Sequence, residues 1–161
     1  MKFDKDIAEK HLKRLLKQYK IEVVKWSRTS CGRAYWNDKQ VKIPHPTDLD
    51  RFCVGIHEIK HVIDGYFGKL YQREYACEKF AIQQAELLGF DDIETYQERA
   101  RRYIIMTIAK GHCRGLNLDN IEPEIKRFCN IDFSEWKGKK VFVSGWGDAT
   151  YKGVPLNIEI I

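Results

Sequence analysis

Residues 54–65 read Val54-Gly55-Ile56-His57-Glu58-Ile59-Lys60-His61-Val62-Ile63-Asp64-Gly65, and the five residues His57 to His61 decide how the rest of the chain is read. On a helix the two histidines lie one turn apart on one face, so both imidazoles reach a single metal ion. Glu58 then stands beside them to act on a metal-bound water. Five residues of this form arise by accident on the order of once in a hundred chains of this size, so the motif needs support from its surroundings.

Upstream, Pro44-His45-Pro46 breaks the chain, because proline lacks an amide hydrogen and restrains its predecessor. Thr47 is the expected N-cap, with Asp50 three residues on in a variant of the capping box. Leu49, Phe52, Ile56 and Ile63 form the expected buried stripe, and Gly65 the stop. His57, His61 and Asp64 fall along the flank of that stripe, which puts a metal at the edge of a core. Downstream, the spacing predicts a helix from about Tyr71 to Leu88, closed by Gly89, with Glu74, Cys77, Glu78, Ala81 and Ala85 along one face. Another helix opens at Asp91 or Asp92, carries Tyr96, Ala100, Tyr103, Ile104 and Ile108, and ends at Gly111.

Towards the N-terminus, Ala8, Leu12, Leu15, Leu16 and Tyr19 recur at helical spacing from about Lys5 to Lys20, with His11 expected on the surface among lysines. Ile21 to Trp26 reads as a strand. Ala34-Tyr35-Trp36 and Gln40 to Ile43 read as a hairpin turning at Asn37-Asp38. At the other end, Pro123 starts a short helix with Ile125 and Phe128. Lys140 to Ser144 and Leu156 to Ile160 alternate like strands about the turn Gly145-Trp146-Gly147-Asp148.

Composition limits the function classes. With 161 residues, 32% charged and 43% hydrophobic, the chain suits a soluble globular protein that buries its core without disulfide staples. No apolar run is long enough for a membrane span, and the start at Met1 lacks a signal peptide's apolar stretch, so the expected compartment is the cytoplasm. The five cysteines never form Cys-x-x-Cys, which argues for reduced, mostly buried thiols. The formal charge of +5 is spread along the chain among acids, which argues against a nucleic-acid site.

Zinc held by three protein ligands keeps a fourth position for water and lowers that water's pKa towards neutrality. His57 and His61 supply two ligands. Glu74 and Glu78, one turn apart on the next helix, are the candidates for the third. Glu74 is preferred, with Glu78 accepting a hydrogen bond from the other ring nitrogen of a ligating histidine and fixing its tautomer.

His57-Glu58-x-x-His61 followed by a helix bearing Glu74 and an acid one turn later resembles the gluzincin metallopeptidases. The stretch Arg73-Glu74-Tyr75-Ala76-Cys77-Glu78-Lys79-Phe80-Ala81 is similar to a segment of their compact ImmA/IrrE-like members, which phages, mobile elements and stress responses use to cleave repressors. In this sequence Glu78 stands where Asp or Asn is usual and Cys77 where Ala is. The resemblance spans roughly residues 34 to 88. It implies Glu74 as zinc ligand, Glu78 as the acid behind it, a protein or peptide substrate such as a repressor-type regulator, and the strand Val41-Lys42-Ile43 as the sheet edge that holds substrate.

Other constellations carry less. Cys53, one turn before His57, reads as a buried cysteine, and His45 as a loop residue. His112 and Cys113 with distant Cys129 match no ligand spacing. Tyr66 and Tyr71 lie between the two metal helices, where a phenol can serve an oxyanion but packing is the plainer role. Trp136, Trp146 and Tyr151 suit either a binding surface or a second small core.

The expected fold is α+β. It is a minimal zincin-like arrangement, mainly helical, with a small N-terminal sheet on the active-site helix and a C-terminal strand pair. Residues 1–115 form the metallopeptidase domain and residues 116–161 an extension. The expected function is zinc-dependent hydrolysis of peptide bonds in a cytoplasmic protein, through a zinc-bound water activated by Glu58. The alternative is a catalytically inactive zinc-stabilised module that binds a protein or nucleic acid through its C-terminal part.

Overall fold

The computed structural model describes residues 1–144 and 157–161, so the expected turn at Gly145–Asp148, with Trp146 and Tyr151, lies outside the described residues. The chain is mixed α+β. Helix α1 (Lys5–Tyr19) is followed by strands β1 (Glu22–Ser27), β2 (Arg33–Tyr35) and β3 (Gln40–Pro44), with a 3-10 turn at Trp36–Asp38 between the last two. Then come helices α2 (Leu49–Asp64), α3 (Leu70–Leu87), α4 (Ile93–Cys113) and α5 (Pro123–Cys129), and strands β4 (Val141–Ser144) and β5 (Asn157–Ile160). Contacts divide it into two units, Met1–Tyr96 and Gln97–Ile161. The division falls inside α4.

In the first unit β3 is the central strand, parallel to β1 and antiparallel to β2. That corrects the expectation that Val41–Ile43 is a sheet edge: both sides of β3 are paired, and the free edges belong to β1 and β2. Pairing between β1 and β3 skips the intervening strand, and no local sequence signal carries such a choice. Val41 and Ile43 turn inward from β3 and are fully buried against α2, which also packs on α1 and α3.

Helix α2 is apolar over most of its circumference. Phe52, Cys53, Val54, Gly55, Ile56, Ile59 and Val62 are all buried, a wider surface than one stripe, as befits a helix with neighbours on several sides. Gly55 lets α1 approach, since a Cβ there would lie 2.9 Å from Leu12 Cδ1. The cap is Asp48 rather than Thr47: its Oδ1 accepts from the Arg51 amide at 2.8 Å, and a carboxylate at that end also meets the positive pole of the helix. Gly65 closes α2 at φ +67°, a region open to glycine.

His11 is buried, against expectation. Its Nε2 donates to Gln84 Oε1 at 2.8 Å, Arg14 donates to its Nδ1 at 3.1 Å, and its ring meets the edge of Phe52. Helix α3 buries the face expected of it, Glu74, Cys77, Glu78, Ala81 and Ala85.

The second unit has its own core of Ile104, Ile108, Leu118, Ile125, Phe133 and Trp136. Trp136 is buried in that core, stacked edge-on to Phe133 at 5.0 Å, so it presents no binding surface. Helix α4 passes through Gly111 and stops at Cys113; Gly115, at φ +91°, makes the turn instead. β4 and β5 pair antiparallel, as the alternation implies.

Burial lowers the His11 pKa below its ordinary value, helped by Arg14 and opposed by the bond to Gln84. The unfolded chain therefore binds more protons at that site as the pH falls below about 6.5, so His11 contributes stability above that range and loses it on acidification. Thermal unfolding midpoints taken between pH 7.5 and about pH 5 are expected to fall less steeply for His11→Gln than for the wild type; equal slopes would contradict the assignment.

Candidate metal centre

Two adjacent helices of the first unit bring the expected residues together. α2 carries His57, Glu58 and His61, and α3 faces them with Glu74, Cys77 and Glu78 at i, i+3 and i+4, one helical face. His57 Nε2 lies 3.1 Å from His61 Nε2 and 3.1 Å from Glu74 Oε2, and His61 Nε2 lies 3.4 Å from Glu74 Oε1. Behind this trio, His57 Nδ1 sits 3.3 Å from Glu78 Oε1, and the Tyr96 hydroxyl donates to Glu78 Oε2 at 2.6 Å.

These separations fit a metal. Ligands at about 2.0–2.2 Å from zinc in a tetrahedron stand roughly 3.3–3.6 Å from one another, close to what the two Nε2 atoms and the Glu74 oxygens show. With Nδ1–H of His57 given to Glu78, its Nε2 holds a lone pair towards another imidazole and a carboxylate, a place that the Nε2–H of His61, an extra proton or a cation can fill. Burial alone would lower the His57 pKa, but the Glu78 charge and bonds to Glu74 and Glu78 hold it well above the ordinary range. Burial would raise Glu74, yet its bonds to His57 and His61 hold it well below the usual carboxylate range.

Cys77 joins the same histidines. Among the described residues, His57, His61 and Cys77 place ligand atoms within 4.8 Å of one another, a group that can hold a metal ion. Burial, then the Glu74 charge, pushes the Cys77 thiol well up, so in the absence of a cation it is protonated. Two donor sets thus share the imidazoles, one completed by sulfur and one by the Glu74 carboxylate. The Glu74 carboxylate approaches the two Nε2 atoms at 3.1 and 3.4 Å.

Glu58 points its carboxylate at Gly32, in the loop between β1 and β2. A Cβ at Gly32 would lie 2.4 Å from Glu58 Cγ and 2.9 Å from its Oε1, so glycine there makes room for the acid. Burial raises the Glu58 carboxyl above its ordinary value, against the pull of His57 and His61.

The remaining sequence candidates lie elsewhere or serve packing. His45 is exposed and stacks on Trp26 at 4.6 Å, Cys53 is buried, and Tyr71 is buried while Tyr66 is exposed under the Arg73 guanidinium. His112 Nε2 donates to the Lys139 carbonyl, and Cys113 Sγ to that of Val141. Burial pushes the Cys129 thiol up to about 12. Sequence reasoning missed Gly32 and the part Tyr96 plays. A phenol on the apolar face of α4 was a signal for Tyr96, since a buried hydroxyl needs a partner; a glycine in a polar loop gave none for Gly32.

No family model matches the chain, and comparison with curated proteins and with solved structures returns no match.

Glu74→Gln is expected to weaken zinc binding far more than Glu78→Gln, whose loss should cost only about 10- to 100-fold in affinity. Competition with a chromophoric chelator measures both. The reverse order would exchange the roles of the two carboxylates.

Proposed function

We propose that the chain is a zinc-dependent metallopeptidase of the minimal zincin-like, gluzincin type, with His57, His61 and Glu74 as metal ligands and Glu58 as general base. The observation that carries the reading is the convergence of two imidazole nitrogens and one carboxylate at 3.1–3.4 Å, with an acid from the same helix beside them and the Glu78–Tyr96 pair behind. When bound at three protein ligands, zinc lowers the pKa of a water and polarises a carbonyl.

The chain's own groups supply the rest. Glu58 accepts a proton from the attacking water and returns it to the leaving amine, and Gly32 keeps the carboxylate seated for both transfers. Glu78, braced by Tyr96, fixes the His57 tautomer so that Nε2 faces the metal. An extended peptide would be held by main-chain pairing on the free edge of β2, which begins at the residue after Gly32. The substrate is then a protein segment that can be drawn out as a strand, and a repressor-type regulator is the class the family resemblance suggests. We take the compartment to be the cytoplasm, where the five free cysteines would stay reduced. No helix among the described residues is long and apolar enough to cross a membrane.

One observation favours a second reading. Cys77, beside both histidines, gives the site a fourth protein donor. Four protein ligands are the mark of a structural zinc, so the other reading is a zinc-stabilised module that binds a partner without cutting it.

Glu58→Gln separates the two. A peptidase is expected to keep its metal and fold in this variant while cleavage falls by at least ~10²-fold. The assay uses a partner captured by the variant and offered to the wild type. Cleavage of that partner by wild type alone supports the enzyme; a partner bound equally by both proteins and left intact by both contradicts it.

A further inference from the structure

Glu74, Cys77 and Glu78 share one buried face of α3, and the roles of the two carboxylates are separate: Glu74 meets both Nε2 atoms, while Glu78 meets His57 Nδ1 and Tyr96. Between them in sequence stands a sulfur with no part in that scheme. It lies within 4.8 Å of a ring nitrogen of His57 and of His61, and it is 1% exposed.

We propose that Cys77 is a fourth ligand to the metal held by His57, His61 and Glu74, and that its sulfur closes the coordination shell and keeps the resting protein latent. The proposal rests on the metallopeptidase reading. On ligation the S–H bond breaks, the proton leaves to solvent and a sulfur–metal bond forms at the position a water otherwise takes. Activation is the reverse, in which water enters, the sulfur leaves and the thiol regains a proton; no electron is transferred. Cysteine has a single side-chain torsion ahead of its sulfur, so the bound and released states differ by one rotamer. Zinc tolerates the exchange because its filled d shell imposes no geometry and it accepts nitrogen, oxygen and sulfur alike. The same chain thereby reconciles four donors with a catalytic site: the shell is closed at rest and open when the sulfur is displaced.

X-ray absorption at the zinc edge tests the ligand directly in the full-length zinc protein. The wild type is expected to show one sulfur scatterer at about 2.3 Å beside nitrogen and oxygen scatterers at about 2.0–2.2 Å. Cys77→Ala and Cys77→Ser are expected to lose the sulfur shell and keep one zinc per chain. In the cobalt-substituted proteins, acetohydroxamate is expected to shift the visible spectrum of Cys77→Ala at concentrations that leave the wild type unchanged. A wild-type spectrum of nitrogen and oxygen scatterers alone overturns the proposal and leaves the metallopeptidase reading intact, whereas wild-type protein that binds no zinc overturns both. Loss of zinc from both Cys77 variants also overturns it, since the sulfur would then be a structural ligand and not a displaceable one.

Discussion

A buried imidazole set between two carboxylates is the constraint on which the rest of this structure depends. His57 faces Glu74 through one ring nitrogen and Glu78 through the other, with the His61 ring against it and Glu58 close by. Carboxylates out of water are costly unless something positive pairs with them. A proton on His57 answers part of that need; a divalent cation held at the converging donors would answer more of it and would couple metal binding to folding. Each neighbouring feature serves to hold that cluster. The wide apolar surface of α2 fixes the helix on several sides, Gly55 admits α1, Gly32 admits Glu58, and Tyr96 ties down the far oxygen of Glu78.

Most of the cluster was legible because it is helical. His57, Glu58 and His61 lie within a turn of one another, and the apolar positions around them repeat with the helical period, so α2 and its site face follow from spacing alone. The same period placed Glu74, Cys77 and Glu78 on one side of α3, where the structure buries all three. Which of them touches which imidazole depends on the packing of two helices, and spacing within one helix cannot say.

What stayed hidden depends on partners distant in sequence. His11 sits among lysines and reads as a surface residue, yet Gln84 on α3 receives it inside. The central place of β3 arises from parallel pairing with β1 across an intervening strand, so a strand that looks like an edge from its neighbours alone is enclosed. The cap of α2 moved one residue, from Thr47 to Asp48, because both residues can cap and only backbone direction decides. Gly32 is informative only once Glu58 is seen against it.

The most direct measurement is a crystal structure of the zinc-loaded protein with anomalous data on both sides of the zinc absorption edge. A single strong peak is expected at about 2.0–2.1 Å from Nε2 of both His57 and His61 and about 2.0–2.2 Å from a Glu74 oxygen, with His57 Nδ1 still on Glu78. No peak at that position, with a doubly protonated His57 bridging Glu74 and Glu78 in its place, would contradict it.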